Sequence, residues 1–239
     1  MKLAQLQTLL KETGRYTGRV DGLYGMLSEA AILIGMTDGP DTAVTLADMN
    51  RVATRLGVQV AAIRAFWKVE ANGAGFQAGR PKILPEPHRF SRNTARAFDK
   101  SNPTLSYPKW GTRPYPKTQD ERYRILSAWV ALLARREMDI DAAFASASYG
   151  APQIMGENAA LCGYPDPARF AFAMARDEAT QLDAFVSFVD HAGILPHLRR
   201  VDRTEASWYP VTQRYNGTAH KLNGYPPRIV SAFVAFGGK

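Results

Sequence analysis

Apolar residues recur at three- and four-residue spacing through most of the chain, and that period predicts helices. Leu3, Leu6 and Leu10 put one stripe on residues 1–13, which Gly14 and Gly18 close. Arg19-Val20-Asp21-Gly22-Leu23-Tyr24-Gly25 then reads as a tight turn with glycines at positive φ. Ser28 is expected to cap a short helix over 29–36, and residues 37–41 read as a linker. Thr45 caps the next helix, with Asp48 in its first turn; Leu46, Met49, Val52, Ala53 and Leu56 form its stripe and Gly57 stops it. A further apolar helix runs into Glu70 and is broken by Gly73 and Gly75. Residues 120–138 give the clearest helix, with Ile125, Leu126, Trp129, Leu132 and Leu133 on one face. Others are predicted over 177–190, 208–215 and 227–236. Strand signals are weak throughout, so the expected fold class is mainly α.

Residues 76–119 break the pattern. They hold seven prolines and no helical period, which predicts an irregular functional lobe.

Charge divides the chain unevenly. The formal net charge is +8, yet residues 1–45 carry −1 and the remainder +9. The larger part therefore asks for an anionic partner: nucleic acid, a membrane surface or an acidic wall polymer. The basic residues are dispersed over several predicted helices, which argues against nucleic acid. No apolar run approaches a membrane span, and no signal-peptide core follows Met1-Lys2-Leu3. The expectation is a protein made in a cytoplasm without a Sec signal. With one cysteine, Cys162, no internal disulfide forms.

Candidate chemistry narrows to carboxylates. The four histidines are scattered with no partner at i+4, so neither a metal nor a cofactor is expected. Cys162 lacks a nucleophile motif and reads as a small buried residue; there is no serine elbow and no phosphate loop. Ile63, Trp67 and Glu70 share one helix face, and Glu70 sits in the last turn, where unpaired carbonyls disfavour negative charge. An apolar setting and a helix C-terminus both raise a carboxyl pKa, as a general acid near neutral pH requires. The competing reading is a surface glutamate at a frayed helix end. Glu86 and His88 in the irregular lobe read either as site residues or as a salt-bridged loop pair.

Two resemblances give these residues a context. Leu6-Gln7 followed by Asp21-Gly22-Leu23-Tyr24-Gly25 and an apolar helix resembles the small peptidoglycan-binding domain of many wall hydrolases, in shortened form. It implies a module over 1–42 with Asp21 and Tyr24 as wall contacts; the other reading is a helical hairpin packed on the main domain. Val69-Glu70-Ala71-Asn72-Gly73-Ala74-Gly75-Phe76, then Ser148-Tyr149-Gly150-Ala151-Pro152-Gln153-Ile154-Met155-Gly156, then Tyr215-Asn216-Gly217 resembles the N-acetylmuramidase family found as phage endolysins. More distantly the order is similar to goose-type lysozymes and lytic transglycosylases. The chain departs from the family at Pro85, Pro87, Tyr149 and Pro152.

The second resemblance implies a lysozyme-like helical catalytic domain over 43–239 that cleaves the β-1,4 bond after N-acetylmuramic acid, with Glu70 as catalytic acid. On this reading Gln153 holds a sugar acetamide or orders a water, unless it only caps a turn. Tyr149, Tyr215 and Asn216 line sugar subsites, unless the tyrosines are core residues. Glu86 is the first candidate for a second carboxylate and Glu157 the next. The implied partners are peptidoglycan and the anionic bacterial envelope, with no nucleic acid, for a monomer that a holin releases to the periplasm. The rivals are a lytic transglycosylase using the same glutamate and a non-catalytic basic wall-binding protein.

Overall fold

A computed structural model of the chain describes residues 1–37, 39–70, 74–217 and 224–239. The fold is mainly α, with helix over 54% of the described residues. Helices α1 (Leu3–Glu12) and α2 (Met26–Gly35) are followed by α3 (Leu46–Leu56) and α4 (Val60–Glu70). The irregular lobe opens with β1 (Phe76–Gln77), β2 (Arg80–Pro81), β3 (Ile83–Pro85) and α5 (Pro87–Asn93). Then come α6 (Gln119–Arg135), α7 (Asp141–Ala145), β4 (Ala147–Tyr149), β5 (Ile154–Met155) and a 3-10 turn at Gly156–Asn158. Helices α8 (Pro167–Met174), α9 (Glu178–His191), α10 (Leu195–Leu198), α11 (Glu205–Asn216) and α12 (Tyr225–Ala235) complete the chain. A three-stranded sheet is antiparallel in the order β3-β4-β5, with Ile83 opposite Tyr149 and Tyr149 opposite Ile154.

The helix boundaries follow from capping chemistry. The Thr45 hydroxyl accepts from the Asp48 amide while the Asp48 carboxylate accepts from the Thr45 amide, a reciprocal box that starts α3. Gly57 ends the same helix in the left-handed conformation, at φ 64°. Thr118 and Glu121 repeat the box at α6. Ser28 does not cap α2 as expected. The helix begins three residues earlier from Gly25, and Ser28 lies buried inside it, bonded to Gln7.

Helix α4 is the centre of the main body. Its Ala62, Ile63, Ala65 and Phe66 are fully buried, and α12 and α3 pack against it. Helix α6 has a different role, for it holds the irregular lobe by its backbone. Gln119 bonds both the amide and the carbonyl of Ile83, Tyr123 donates to Pro81, Trp129 donates to Leu105 and Arg136 to Ala97. The Trp129 indole stacks on Phe90 at 4.6 Å with the rings 5° from parallel, and Phe90 stacks in turn on Phe98. A proline-rich segment whose own ladder is only the two-residue pairing of β1 with β2 is thus ordered by donors from a helix and by an aromatic stack.

Residues 1–37 join the same hydrophobic cluster through Leu3, Leu6, Leu10, Ile32 and Met36. The N-terminal ammonium pairs with Asp139 and Asp141, and the Ile140 amide donates to the Met1 carbonyl. Residues 41 and 42 are pinned as well: the Asp41 amide donates to Arg176, and the Glu178 amide to Thr42.

Candidate active site

Glu70 is the last residue of α4, and Ala71, Asn72 and Gly73 after it lie outside the described residues. The chain returns at Ala74-Gly75, where the Gly75 amide donates to the buried Glu178 carboxylate of α9. A Cβ on Gly75 would fall 2.1 Å from Gln181 Oε1 and 3.0 Å from the Ala151 amide, so only glycine admits this approach.

The opposing wall is the turn between β4 and β5. Gly150 and Gln153 are both left-handed, at φ 71° and 49°. Two glutamines hold that shape. Gln153 Oε1 accepts from Ser148 Oγ at 2.9 Å, and its Nε2 donates to the carbonyls of Gly150 (2.7 Å) and Lys82 (3.2 Å). Gln181 Oε1 accepts from the Ala151 amide at 2.7 Å, and its Nε2 donates to Met174. Tyr215 on α11 closes the third side, donating its hydroxyl to the Pro152 carbonyl at 2.7 Å. Its ring meets Phe66 edge-on at 4.8 Å and also touches Phe185 and Phe188.

Between these walls lies a cavity of about 230 Å³ lined by Glu70, Gln153, Met155, Asn158, Tyr215 and Tyr225 among others. That is below the roughly 300–1,000 Å³ of sites for drug-sized ligands, and it suits one subsite rather than a whole strand. Glu70 sits within electrostatic reach of two phenols. Burial holds the Tyr215 hydroxyl far above its ordinary pKa, and the Glu70 charge raises it further; Tyr225 is raised by the same two causes in the same order.

Three of the expected site residues, Glu70, Gln153 and Tyr215, therefore meet at one cavity. Tyr149 does not. It is fully buried in β4, edge-on to Phe170, with its hydroxyl donated to the Phe144 carbonyl, so it is a core residue with no surface for a sugar. The side chain of Asn216 lies outside what is described. Gln153 has its amide nitrogen committed to the Gly150 carbonyl of its own turn and to the Lys82 carbonyl beside β3, which leaves the carbonyl oxygen's second lone pair for a ligand.

Glu86 lies elsewhere, at the junction of β3 and α5. Tyr115 donates to its Oε2 at 2.6 Å, His88 Nδ1 lies 3.2 Å away, and the exposed Trp110 indole donates to the Tyr115 hydroxyl. Burial lifts the Glu86 carboxyl above its usual range, against the pull of the Tyr115 bond. Glu157 is paired with Arg89 at 3.3 Å and with Arg92. In the N-terminal region Asp21 accepts from Gln7 and from the Leu23 amide, and the Tyr24 hydroxyl meets Ser127 of α6 at 2.6 Å.

Sequence reasoning passed over Tyr225, Asn158 and Met155 in the lining, and Gln181 and Glu178 behind it. Gln181 carried a readable signal, a polar residue on the stripe of Leu182, Phe185 and Val189.

A helical body carrying a small sheet, with a carboxylate at a helix end facing a glycine-rich turn over a sugar-sized cavity, belongs to the lysozyme-type glycoside hydrolases. The N-acetylmuramidase family model matches residues 59–237, and the chain belongs to that family. A crystal structure of the endolysin of Burkholderia phage AP3 is similar over 98% of this chain and 94% of that one, at 32% identity and a TM-score of 0.70. No curated protein shows significant sequence similarity to the chain.

Proposed function

We propose that this peptidoglycan hydrolase is an endolysin that cuts the β-1,4 bond between N-acetylmuramic acid and N-acetylglucosamine, with Glu70 as general acid. The observation that supports this most directly is the position of Glu70. It stands at the end of a buried helix, in a cavity walled by two tyrosines and a locked glycine turn. Protonation of the glycosidic oxygen by Glu70 would let the leaving sugar depart as its ring gains oxocarbenium character. Tyr215 and Tyr225 would keep water from the acid, and the free lone pair of Gln153 Oε1 would orient an acetamide N–H. No helix among the described residues is long and apolar enough to cross a membrane. In this reading the enzyme reaches the wall from the host cytoplasm by holin-type release, and its basic surface favours the anionic envelope.

One observation favours a second reading. Among the described residues that line the cavity, Glu70 is the one carboxylate. A lytic transglycosylase needs no more, because the sugar's own 6-hydroxyl attacks C1 and forms a 1,6-anhydro ring. Glu86, lifted above the usual carboxylate range, is the candidate second group for hydrolysis.

Digestion of purified peptidoglycan by wild type, Glu70→Gln and Glu86→Gln, read by mass spectrometry, tests all three points. Loss of about 10²–10⁴-fold in rate is expected for Glu70→Gln, the usual yield of a general acid. Hydrated reducing ends support hydrolysis and anhydro ends support the transglycosylase. Cutting unaffected by Glu70→Gln overturns the site, and cutting unaffected by Glu86→Gln removes the second group.

For residues 1–42 the wall-binding module remains a separate proposal, with Asp21 and Tyr24 as contacts. Their bonds to Gln7 and Ser127 leave the exposed Leu23, Met26 and Leu27 as further surface for the wall. Replacing those three by serine is expected to weaken sedimentation with wall sacculi; unchanged sedimentation counts against the module.

A further inference from the structure

A second cavity, of about 390 Å³, opens beside α5 and is lined by His88, Arg89, Arg92, Arg96, Ser91 and Pro108 among others. Its three arginines come from one short helix and the turn after it, at positions i, i+3 and i+7. The turn is costly to make. Ala95 and Arg96 are consecutive left-handed residues, at φ 49° and 64°, and the Arg96 amide donates back to the Ser91 carbonyl at 2.7 Å. The left-handed region is unfavourable for any residue with a Cβ, and such strain gathers where ligands are held. Among the described residues the one acid that pairs with these arginines is Glu157, which bonds Arg89 and Arg92 and leaves Arg96 without an ion pair. Asp99, next along the turn, is engaged by the hydroxyls of Ser91 and Ser106. Glu157 also demonstrates the fit, since two guanidinium groups already converge on its carboxylate. The positive field reaches His88, whose imidazole is held below its ordinary pKa first by burial and then by Arg89 and Arg92.

The cavity's position gives the ligand. Glu157 lies in the 3-10 turn Gly156–Asn158, and its neighbours Met155 and Asn158 line the Glu70 cavity. The acid that pairs with Arg89 and Arg92 therefore stands within two residues of side chains that line the Glu70 cavity. In a peptidoglycan strand the sugars are uncharged once the lactyl group of muramic acid is amidated; the carboxylates belong to the stem peptide that leaves the strand at that lactyl group. We propose that Arg89, Arg92 and Arg96 form a subsite for the carboxylates of the stem peptide, so that the enzyme selects peptide-bearing muramic acid over bare glycan. This rests on the reading of the Glu70 cavity as the sugar site, and the experiment separates the two.

Wild type, Arg92→Ala, Arg96→Ala and Arg96→Lys are compared on intact peptidoglycan and on the same strands stripped of peptide by an amidase and then capped as methylamides at the freed lactyl carboxylates, after thermal melts establish folding. The wild type is expected to cut intact strands at higher kcat/KM. Arg92→Ala and Arg96→Ala are expected to lose about tenfold or more on intact strands, the worth of a charged hydrogen bond, and nothing on stripped ones. Arg96→Lys is expected to recover part of the loss, because it keeps the charge without the fork. In parallel, calorimetry measures free stem tetrapeptide binding to Glu70→Gln, with and without Arg96→Ala, and competition by inorganic phosphate. Equal losses on both substrates, no difference between substrates for the wild type, or phosphate displacing the peptide at equal concentration would overturn the subsite. Peptide binding that depends on Arg96 in a protein that cuts neither substrate would keep the subsite and sink the sugar-site reading. If both alanine variants fail to fold, peptide binding to Glu70→Gln carrying Arg96→Lys decides: unchanged affinity overturns the proposal and a severalfold loss supports it.

Discussion

Two regions of the molecule are built around a buried glutamine, and they use it for opposite ends. In the N-terminal region Gln7 Oε1 accepts from the amides of Asp21 and Gly22, while its Nε2 faces Tyr16, Asp21, Leu23 and Ser28. All of these partners lie within 21 residues of it, so one side chain closes one local turn. At the cleft Gln181 and its neighbour Glu178 reach Ala151, 30 residues away, and Gly75, 103 residues away. The same amide chemistry makes a self-contained turn in one place and a joint between three distant segments in the other. The difference predicts where a lost hydrogen bond will be felt: locally in the first case, at Glu70's cavity in the second.

The largest effect is expected where the cleft's backbone is pried apart. A Cβ on Gly156 would lie 2.2 Å from the Phe144 carbonyl oxygen, a backbone atom that cannot swing aside. Gly156→Ala is expected to cost about 3 kcal/mol, the upper part of the overpacking range, and to slow wall lysis, measured by urea denaturation and turbidity clearing. Next, Gln181→Ala leaves the Ala151 amide buried without a partner and should cost about 2 kcal/mol, with a fall in turnover. Gln7→Ala should cost about 1–2 kcal/mol while the surviving folded protein cuts soluble glycan fragments at the wild-type rate. If Gln7→Ala slows that cutting as much as Gln181→Ala does, the two regions are not independent and the contrast fails. The smallest effect is expected at neither glutamine. Asp48→Ala removes the reciprocal cap of α3 at about 1 kcal/mol. The Thr45 hydroxyl and then the Thr45 amide hold the Asp48 carboxyl below its ordinary value of 3.8. A lowered carboxyl contributes stability above its unfolded pKa and loses it as pH falls through the folded one. The penalty of Asp48→Ala should therefore be full at neutral pH and shrink below pH 3.8, which melts across pH would show.

The helices of ten or more residues were legible in the sequence because their signals are local; the shorter α5, α7, α8 and α10 were not. The stripe and cap of α3 stand where period and capping residues predict, and Leu126, Trp129 and Leu133 of the predicted α6 face are buried, while Asp177, read as the first residue of α9, instead caps it. Glu70 was legible for the same reason, since a helix end is a local event. Tyr149 was not. A tyrosine before a glycine looks like a sugar platform, yet all three residues of β4 are buried, a strand enclosed on both faces that alternation cannot reveal. The cleft's lining was read in part: Gln153 and Tyr215 stand in recognisable motifs, whereas Tyr225 and Asn158 become neighbours only when α12 and the 3-10 turn meet. The arginines at 89, 92 and 96 lie inside a proline-rich stretch with no helical period, so nothing in the pattern places them together without α5 itself.

The stacking of the irregular lobe has an optical consequence. Trp129 and Trp208 are fully buried and Trp67 nearly so, whereas Trp110 is 67% exposed. A water-borne quencher such as iodide therefore meets one indole of four. That indole is hydrogen-bonded to Tyr115, which is bonded to Glu86. The protein carries its own fluorophore on the threshold of the lobe, and its red-edge emission reports on that corner while the three inner tryptophans report on folding.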